Sequence, residues 1–538
     1  MNRNLSILVL LAIIIYVSIS AINIKFPGIN SDELLFVNAV RKFANDDIFV
    51  KMRIANVPFM LTTYIGALKS YLYFPIFAVF GYSVESIRFP MIILMAFGIW
   101  LFYKATFKLT QNNYVAVFSA ILLAFDPSIL VLVRTDQGPV AIELFLKITA
   151  ILLFSNYLDT GKVLNIWFLG IVLFLGTFNK LNFIWSVNAI LFGTLVYWKE
   201  VFGYFKKYEI AQKANFLIAL LFTYLPSVSF FLWAKVYFDI NVKNPGVTFW
   251  IYGMPAHERL WYLIKGMLNF EHPFSFGMYI PVGSLAVYGV YLTVILIVIA
   301  AFLVVIHYKK TEKLEKFWLF SMFSFFAISV QLYLTWRAIS VWHSINIFPF
   351  VISLTVSSLA IIYKYFLSLK LKPVLRIALV LITGYFIGIR LMLDRRYIIN
   401  LGKPVRSVHW SNKIYDLSKY VNNTTKNFIL LDWGTLTQLK GFSPHPENII
   451  EPFELRQQVE CLEFPIDDYR PSIFYEKYLK NPDNNLFISM GDVYQFPSIR
   501  QQEFLKLLKA KNLSIDVQKV FQEDNLVSYT IYRIHRNI

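Results

Sequence analysis

The run Val57–Phe80, VPFMLTTYIGALKSYLYFPIFAVF, decides how this chain is threaded. It is long and apolar enough to be taken for a membrane span. Counted as one, it inverts every loop that follows. With the run left out, spans fall near 5–24, 86–107, 113–132, 140–157, 163–179, 183–198, 214–234, 281–306, 317–334, 343–362 and 374–393, eleven in all. One set of alternate loops then carries Lys104 and Lys108; Lys162; Lys199, Lys206, Lys207 and Lys213; Lys309, Lys310, Lys313 and Lys316; and Lys364, Lys370, Lys372 and Arg376. The opposite short loops carry mainly Arg134, Lys180 and Arg337. Lys and Arg accumulate on the cytoplasmic side of membrane proteins. The first set and the N-terminus are therefore expected inside, and residues 394–538 outside. The run 57–80 joins a long outer loop, 25–85, expected to form interfacial helices with Lys51, Arg53 and Lys69 at the headgroup level. In a Cys461→Ser background, a cysteine introduced near Lys310 should escape an impermeant thiol reagent in intact cells. Modification there overturns the threading.

Composition agrees with this class. Of 538 residues, 57% are hydrophobic and 16% charged, against about 25% charged in ordinary soluble domains. The mean hydropathy is +0.55. In such a chain a net charge of +18 belongs to cytoplasmic loops, not to nucleic-acid binding. The single cysteine, Cys461, excludes an intrachain disulfide framework and a cysteine-based metal cluster. Residues 5–24 resemble a signal-peptide core but lack a small-residue cleavage site, so they read as a retained first span. Residues 235–280 form a second outer loop. From about 394 the hydropathy falls. Strand-like runs at 427–432, 485–489 and 526–534 alternate with helix-like runs at 411–421 and 499–511, which predicts a small outer α/β domain. The expected division is a helical module, 1–393, and a soluble domain, 394–538.

Where the chain leaves its first span stands Asn30-Ser31-Asp32-Glu33-Leu34-Leu35-Phe36. A carboxylate beside hydrocarbon costs kilocalories unless it is solvated or paired, which makes Asp32 and Glu33 functional candidates. The plainer reading is that Ser31 or Asp32 caps a short helix. Other ionisable residues gather at the outer ends of the spans: Lys69, Arg88, Asp126, Arg134, Asp136, Glu143, Lys147, Lys180, Arg337 and His343. Each has a structural explanation when taken alone. Asp126-Pro127-Ser128 reads as an N-cap with Pro in the first turn. Glu143 and Lys147 stand i, i+4 on one helix face. Lys180 has the length to snorkel outward, and His343 beside Trp342 reads as a packing residue. Arg134-Thr135-Asp136-Gln137-Gly138-Pro139 sets a guanidinium and a carboxylate in a tight turn between spans. Either the two close the turn, or the planar fork of Arg134 clamps a phosphate or orients the acid opposite. As a set these residues line one membrane face with both signs of charge.

These blocks carry a resemblance to the GT-C class of polytopic glycosyltransferases, in the branch of protein O-mannosyltransferases and the bacterial aminoarabinose transferase that modifies lipid A. Ser31-Asp32-Glu33 followed by Arg41 resembles the family's Asp-Glu motif in the first outer loop. Tyr64 to Ser70, Leu72, Pro75, Phe80-Gly81 and Arg88-Phe89-Pro90 are similar to its juxtamembrane helices. Asp126-Pro127 with Arg134-Thr135-Asp136 resembles its second outer loop, here shortened. Weaker echoes run from Gly176 to Lys180 and from Arg337 to Pro349. The match covers roughly residues 1–395.

The resemblance implies an integral, multi-pass protein of a prokaryotic plasma membrane with an extracytoplasmic site. There a sugar would pass from a polyprenyl-phosphate donor to a protein, lipid or glycan acceptor. Asp32 is then the base, with Glu33 and Asp136 as further catalytic carboxylates. Lys69, Arg88, Arg134, Lys180, Arg337 and His343 would hold substrate. Phosphate leaves readily, so no general acid is needed and attack opposite it inverts the anomeric centre, as in the oxocarbenium-like chemistry of glycoside hydrolysis. Asp32, Glu33 and Asp136 are the carboxylates available to a divalent metal, although no Asp-x-Asp occurs in the first outer loop. The competing class is a transporter or flippase, which would place charges near the bilayer midplane in repeated halves. Here they crowd one face and no repeat is evident.

Overall fold

In a computed structural model of the protein, residues 3–41, 49–136, 138–238, 284–307, 312–334, 343, 345–366, 372–403, 410–431, 434–451, 474–491, 497–523 and 526–537 are described. Each of the eleven apolar stretches holds a helix. In chain order these are α1 (Arg3–Ala21), α4 (Val84–Thr110), α5 (Asn113–Ala124) with α6 (Pro127–Thr135), α7 (Val140–Thr160), α8 (Leu164–Asn179) and α9 (Ile184–Thr194). After α10 (Trp198–Lys207) come α11 (Ile210–Tyr237), α12 (Ser284–Ile306), α13 (Lys313–Leu334), α14 (Phe350–Phe366) and α15 (Lys372–Asn400). By length and apolarity seven helices among the described residues can cross a membrane, and the bent pair α5–α6 makes an eighth. Leu5–Ala21, Leu164–Asn179 and Phe350–Phe366 are shorter apolar helices. The protein is an α-helical polytopic membrane protein. Its core is built where α4 meets α7, α7 meets α8, and α13 packs on α9 and α14.

The deciding run Val57–Phe80 is not a span, but neither is it all helix. Its first residues, Val57–Met60, form β2 of a hairpin with β1 (Met52–Ile54), closed through left-handed Ala55 and Asn56. Only Leu68–Phe80 is helical (α3), with Pro75 inside it. Lys51 and Arg53 therefore lie at the hairpin. Lys69 is 1% exposed instead of reaching the headgroups.

Asp126 caps α6 as its neighbours suggest, accepting from the amides of Ser128 and Ile129, with Pro127 in the first turn. Pro127 cannot donate an amide back to α5, so the chain breaks there and turns by 52°. The cap thus stands at the break between α5 and α6. Arg390 of α15 is its counter-charge, Nε to Oδ2 3.6 Å.

Beyond α15 a five-stranded sheet runs in the order β4-β3-β5-β7-β6. β3 (Asn427–Leu430) is parallel to β4 (Ile449–Ile450) and to β5 (Asn485–Met490). β7 (Leu526–Arg536) is antiparallel to β5 and to β6 (Leu513–Glu523). Helices α16 (Lys413–Asn422), α17 (Leu436–Phe442) and α18 (Pro497–Ala510) accompany it. β4, β6 and α17 were not among the predicted elements. α17 is the one that matters for the site, because it packs on α2 (Ser31–Asn38).

Candidate functional site

The site is built on α2. Its N-cap is Asn30, not Ser31 or Asp32. The Asn30 side chain accepts from the Asp32 amide at 2.9 Å, and Glu33 Oε1 accepts from the Asn30 amide at 2.9 Å, a capping box. Glu33 is 1% exposed and holds a bidentate pair with Arg88 of α4, Nε–Oε2 2.7 Å and Nη2–Oε1 2.7 Å. Arg88 spends Nη1 on the carbonyls of Ile24 (2.7 Å) and Pro27 (3.0 Å). Arg88 is thus a staple for the loop between α1 and α2, and Glu33 anchors α2 to it.

Arg134 does similar work one residue from the end of α6. It donates to the carbonyls of Ser20 (2.6 Å), Asn23 (2.6 Å) and Phe26 (2.8 Å), and is fully buried. The carbonyls freed where α1 ends need donors away from water. Arg134 supplies them with both terminal nitrogens, leaving only its buried Nε without a hydrogen bond among the described residues, and it makes no ion pair with Asp136 there.

Asp136 follows in the left-handed conformation, φ 34°. One carboxylate oxygen accepts from the Ala141 amide at 2.8 Å; the other pairs with Lys69 at 2.8 Å. Lys69 also donates to the Asp136 carbonyl at 3.3 Å. Gly138 is left-handed too, φ +71°, and a Cβ there would stand 3.2 Å from Lys180 Nζ. Glycine meets both demands.

Lys180 lies between α8 and α9, 2% exposed. It approaches Glu143 at 3.8 Å, and both Glu143 oxygens lack a hydrogen bond among the described residues. The i, i+4 partner Lys147 turns elsewhere, to the Asn346 carbonyl (2.7 Å) and side chain (3.1 Å) and the Phe348 carbonyl (3.3 Å). Ser186 joins Asn346 at 3.3 Å. Next to it, His343 sets its ring edge-on to Trp185, centroids 5.9 Å apart. Arg337 lies outside the described residues.

Asp32 is the exception in this company. It is partly exposed, and its carboxylate has no hydrogen bond or ion pair among the described residues. Burial pushes its pKa up to about 6; the Glu33 charge adds to this, while Lys180 and Lys69 oppose it. A weakly held carboxylate therefore lies within electrostatic reach of two buried ammonium groups. In all, three carboxylates (Asp32, Asp136, Glu143) stand among three lysines (Lys69, Lys147, Lys180). As to a metal, Glu33 and Asp136 have both oxygens engaged. Among the described residues no group of three or more His, Cys, Asp or Glu is placed to hold an ion. Asn346, Thr437 and Gln438 were missed by sequence reading. For Asn346 a signal existed: one amide inside Ile345-Asn346-Ile347.

No protein-family model matches the chain, and no curated protein matches it by sequence. Solved structures do. ArnT from Cupriavidus metallidurans in the apo state matches over 97% of both chains, TM-score 0.58, at 12% identity. The same protein bound to undecaprenyl phosphate matches over 99% of this chain and 98% of its own, TM-score 0.55, at 11% identity. The Archaeoglobus fulgidus oligosaccharyltransferase tethered to an acceptor peptide matches over 97% of this chain and 74% of its own, TM-score 0.52, at 13% identity. Against that archaeal enzyme in its complex with zinc and sulfate, the chain spans only 61% of the length. The fold is that of the GT-C polytopic glycosyltransferases, in its ArnT-like form.

Proposed function

We propose that the protein is an inverting glycosyltransferase that moves a sugar from a polyprenyl-phosphate carrier to an acceptor on the extracytoplasmic face. The observation that carries this reading is the Asp32 carboxylate, without a hydrogen bond or ion pair among the described residues and within electrostatic reach of Lys69 and Lys180, on a GT-C fold. The orientation rests on the lysine distribution between loops.

The chemistry follows from the charges. An acceptor O–H attacks the anomeric carbon opposite the phosphate; the glycosidic C–O bond breaks and its electron pair stays on the phosphate oxygen. The acceptor proton passes to Asp32, whose pKa of about 6 suits a base working near neutrality. The donor phosphodiester carries one negative charge and the released monoester two. Asp32 loses one negative charge as the phosphate gains one, so the lysines face a constant total throughout. Fixed charges that need no rearrangement are what lower a barrier in a water-poor site. Lys180 is the candidate phosphate contact, being held only loosely by Glu143, with Lys69 behind it. Arg88, Arg134 and Glu33 hold the loops on which this depends.

A lipid-borne donor has a place to put its tail. A groove of about 600 Å³ opens between α9, α11 and α13, lined by Asn188, Phe192, Leu195, Tyr224, Phe326 and Val330. It begins close to the polar cluster. Gln331 accepts from Asn188 at 2.7 Å and donates to the Trp185 carbonyl at 3.2 Å, and neighbouring Ser186 reaches Asn346, the partner of Lys147. The bound undecaprenyl phosphate of the Cupriavidus ArnT structure is a ligand of this chemical kind.

Purified full-length protein with a panel of radiolabelled polyprenyl-phosphate sugars tests the reading. Acceptor-dependent release of polyprenyl phosphate from one of them is expected; release from none overturns it. Lys180→Met should then raise the donor KM by about 10- to 100-fold, the worth of one charge-assisted hydrogen bond. The acid limb of the pH–rate profile should also move to higher pH, because Lys180 holds the Asp32 pKa down. An unchanged KM removes Lys180 as the phosphate contact.

A further inference from the structure

The C-terminal domain grips the chain on either side of Asp32. The Thr437 hydroxyl donates to the Ser31 carbonyl at 3.2 Å, and the Gln438 amide donates to the Ile29 carbonyl at 3.1 Å. Further along α2, Asn38 donates to the Thr437 carbonyl at 3.0 Å, and Arg41 to the Gly441 carbonyl at 3.3 Å. At the near end the Gly28 amide donates to the Trp410 carbonyl at 3.0 Å, where a Cβ would stand 2.1 Å from the Ser411 carbonyl oxygen. These contacts are made to main chain, and they flank the one carboxylate of the cluster that has no hydrogen bond or ion pair among the described residues. Gln438 is 1% exposed and its Oε1 has no hydrogen bond among the described residues, so the Ile29 bond is what offsets the burial of this amide there.

We infer that Thr437 and Gln438 are positioning residues for Asp32: through the carbonyls of Ser31 and Ile29 the C-terminal domain sets where the carboxylate stands. The inference rests on the proposed role of Asp32 as base. Glu33 and Arg88 fix α2 from the membrane side, but neighbouring Asp32 takes no part in that pair, and among the described residues nothing is bonded to its own side chain. Its aim therefore follows the backbone of residues 29–31, which α17 holds. A base displaced by about 1 Å from its proton can lose on the order of 10²-fold in rate. An amide or hydroxyl bond to a carbonyl is enough to set such a displacement.

The test uses the full-length protein and compares Thr437→Val/Gln438→Met, which keeps volume and removes both donors, with Thr437→Ser/Gln438, which keeps both. Two readouts are taken. The first is turnover of the donor accepted by wild type; the second is the alkylation rate of the thiol in Asp32→Cys, made in a Cys461→Ser background, with and without the double substitution. The expected result is a kcat lower by about tenfold with the donor KM within twofold, recovery in the serine form, and a thiol rate changed by threefold or more. A double variant with both readouts unchanged overturns the inference. So does a fall in kcat with an unchanged thiol rate, since the loss then comes from elsewhere. If no donor is turned over by wild type, the thiol rate still decides whether α17 positions residue 32, while the glycosyltransferase reading falls separately.

Discussion

Asp32→Asn is expected to lower turnover by about 10² or more, the scale of a positioned acid–base group, and to leave the protein at least as stable as wild type. The amide keeps the size and hydrogen-bonding reach of the carboxylate but cannot take the acceptor proton. Stability should hold because Asp32 caps nothing; Asn30 does. Asp32→Ala should accordingly match Asn in turnover without a capping penalty, whereas Asn30→Ala should cost about 1 kcal/mol. The pH dependence has a definite sign. The folded pKa of about 6 lies above the usual 3.8, so folding favours the protonated form. That contribution is present below the unfolded pKa and is lost as the pH rises through 6. Removing the charge therefore raises Tm at neutral pH, if it changes it, and the difference closes near pH 4. Activity runs the other way: the base must be ionised, so kcat should fall tenfold per unit below about pH 6. A folded Asp32→Asn protein with near wild-type turnover refutes the base.

Arg88→Met should be the most damaging single change to the fold. It strips Glu33 of both charge-assisted bonds and leaves the Ile24 and Pro27 carbonyls without this donor. Breaking a buried pair by removing one partner costs about 3–5 kcal/mol, because the remaining charge is uncompensated. Arg88→Met/Glu33→Met should recover part of that loss, since no charge is then stranded. Thermal unfolding in detergent of the two singles and the double measures the coupling. An Arg88→Met protein of normal Tm but weakened donor binding would return Arg88 to the substrate-binding residues.

The helical frame was legible because long apolar runs have few alternatives in a membrane protein. Val57–Phe80 was rejected as a span on loop charges, yet its hairpin was hidden by the same apolar residues that suggest helix. The site was harder to read. Arg88 and Arg134 stand where a phosphate clamp is expected, but Arg88 is spent on Glu33 and the carbonyls of Ile24 and Pro27, and both terminal nitrogens of Arg134 on carbonyls of residues 20–26. No sequence pattern announces how many backbone acceptors an irregular loop will leave buried. Asp126 reads as a cap and is one, but a break within a helical stretch and the start of a helix share the signature Asp-Pro-Ser, so the bend between α5 and α6 was not legible. Lys147 was paired on paper with Glu143 by i, i+4 spacing, whereas Asn346, nearly 200 positions on, offers it a carbonyl and an amide oxygen. Distant partners of this kind are set by packing alone.

The bonds from Thr437 and Gln438 to Ser31 and Ile29 join positions 406 and 409 residues apart. A ribosome adds about 5–20 residues per second, so the first of these partners waits roughly 20 to 80 seconds for the second. During that time Asp32 has left the first helix with its capping box available but without the grip of α17. The carboxylate takes up its final place only after the membrane helices through α15 and the start of the sheet have been made. A chain stalled or cut before residue 436 can thus insert a nearly complete set of helices into the membrane while lacking the bonds of α17 to the backbone beside Asp32, the residue proposed as base. Partly made copies would be silent in place of promiscuous.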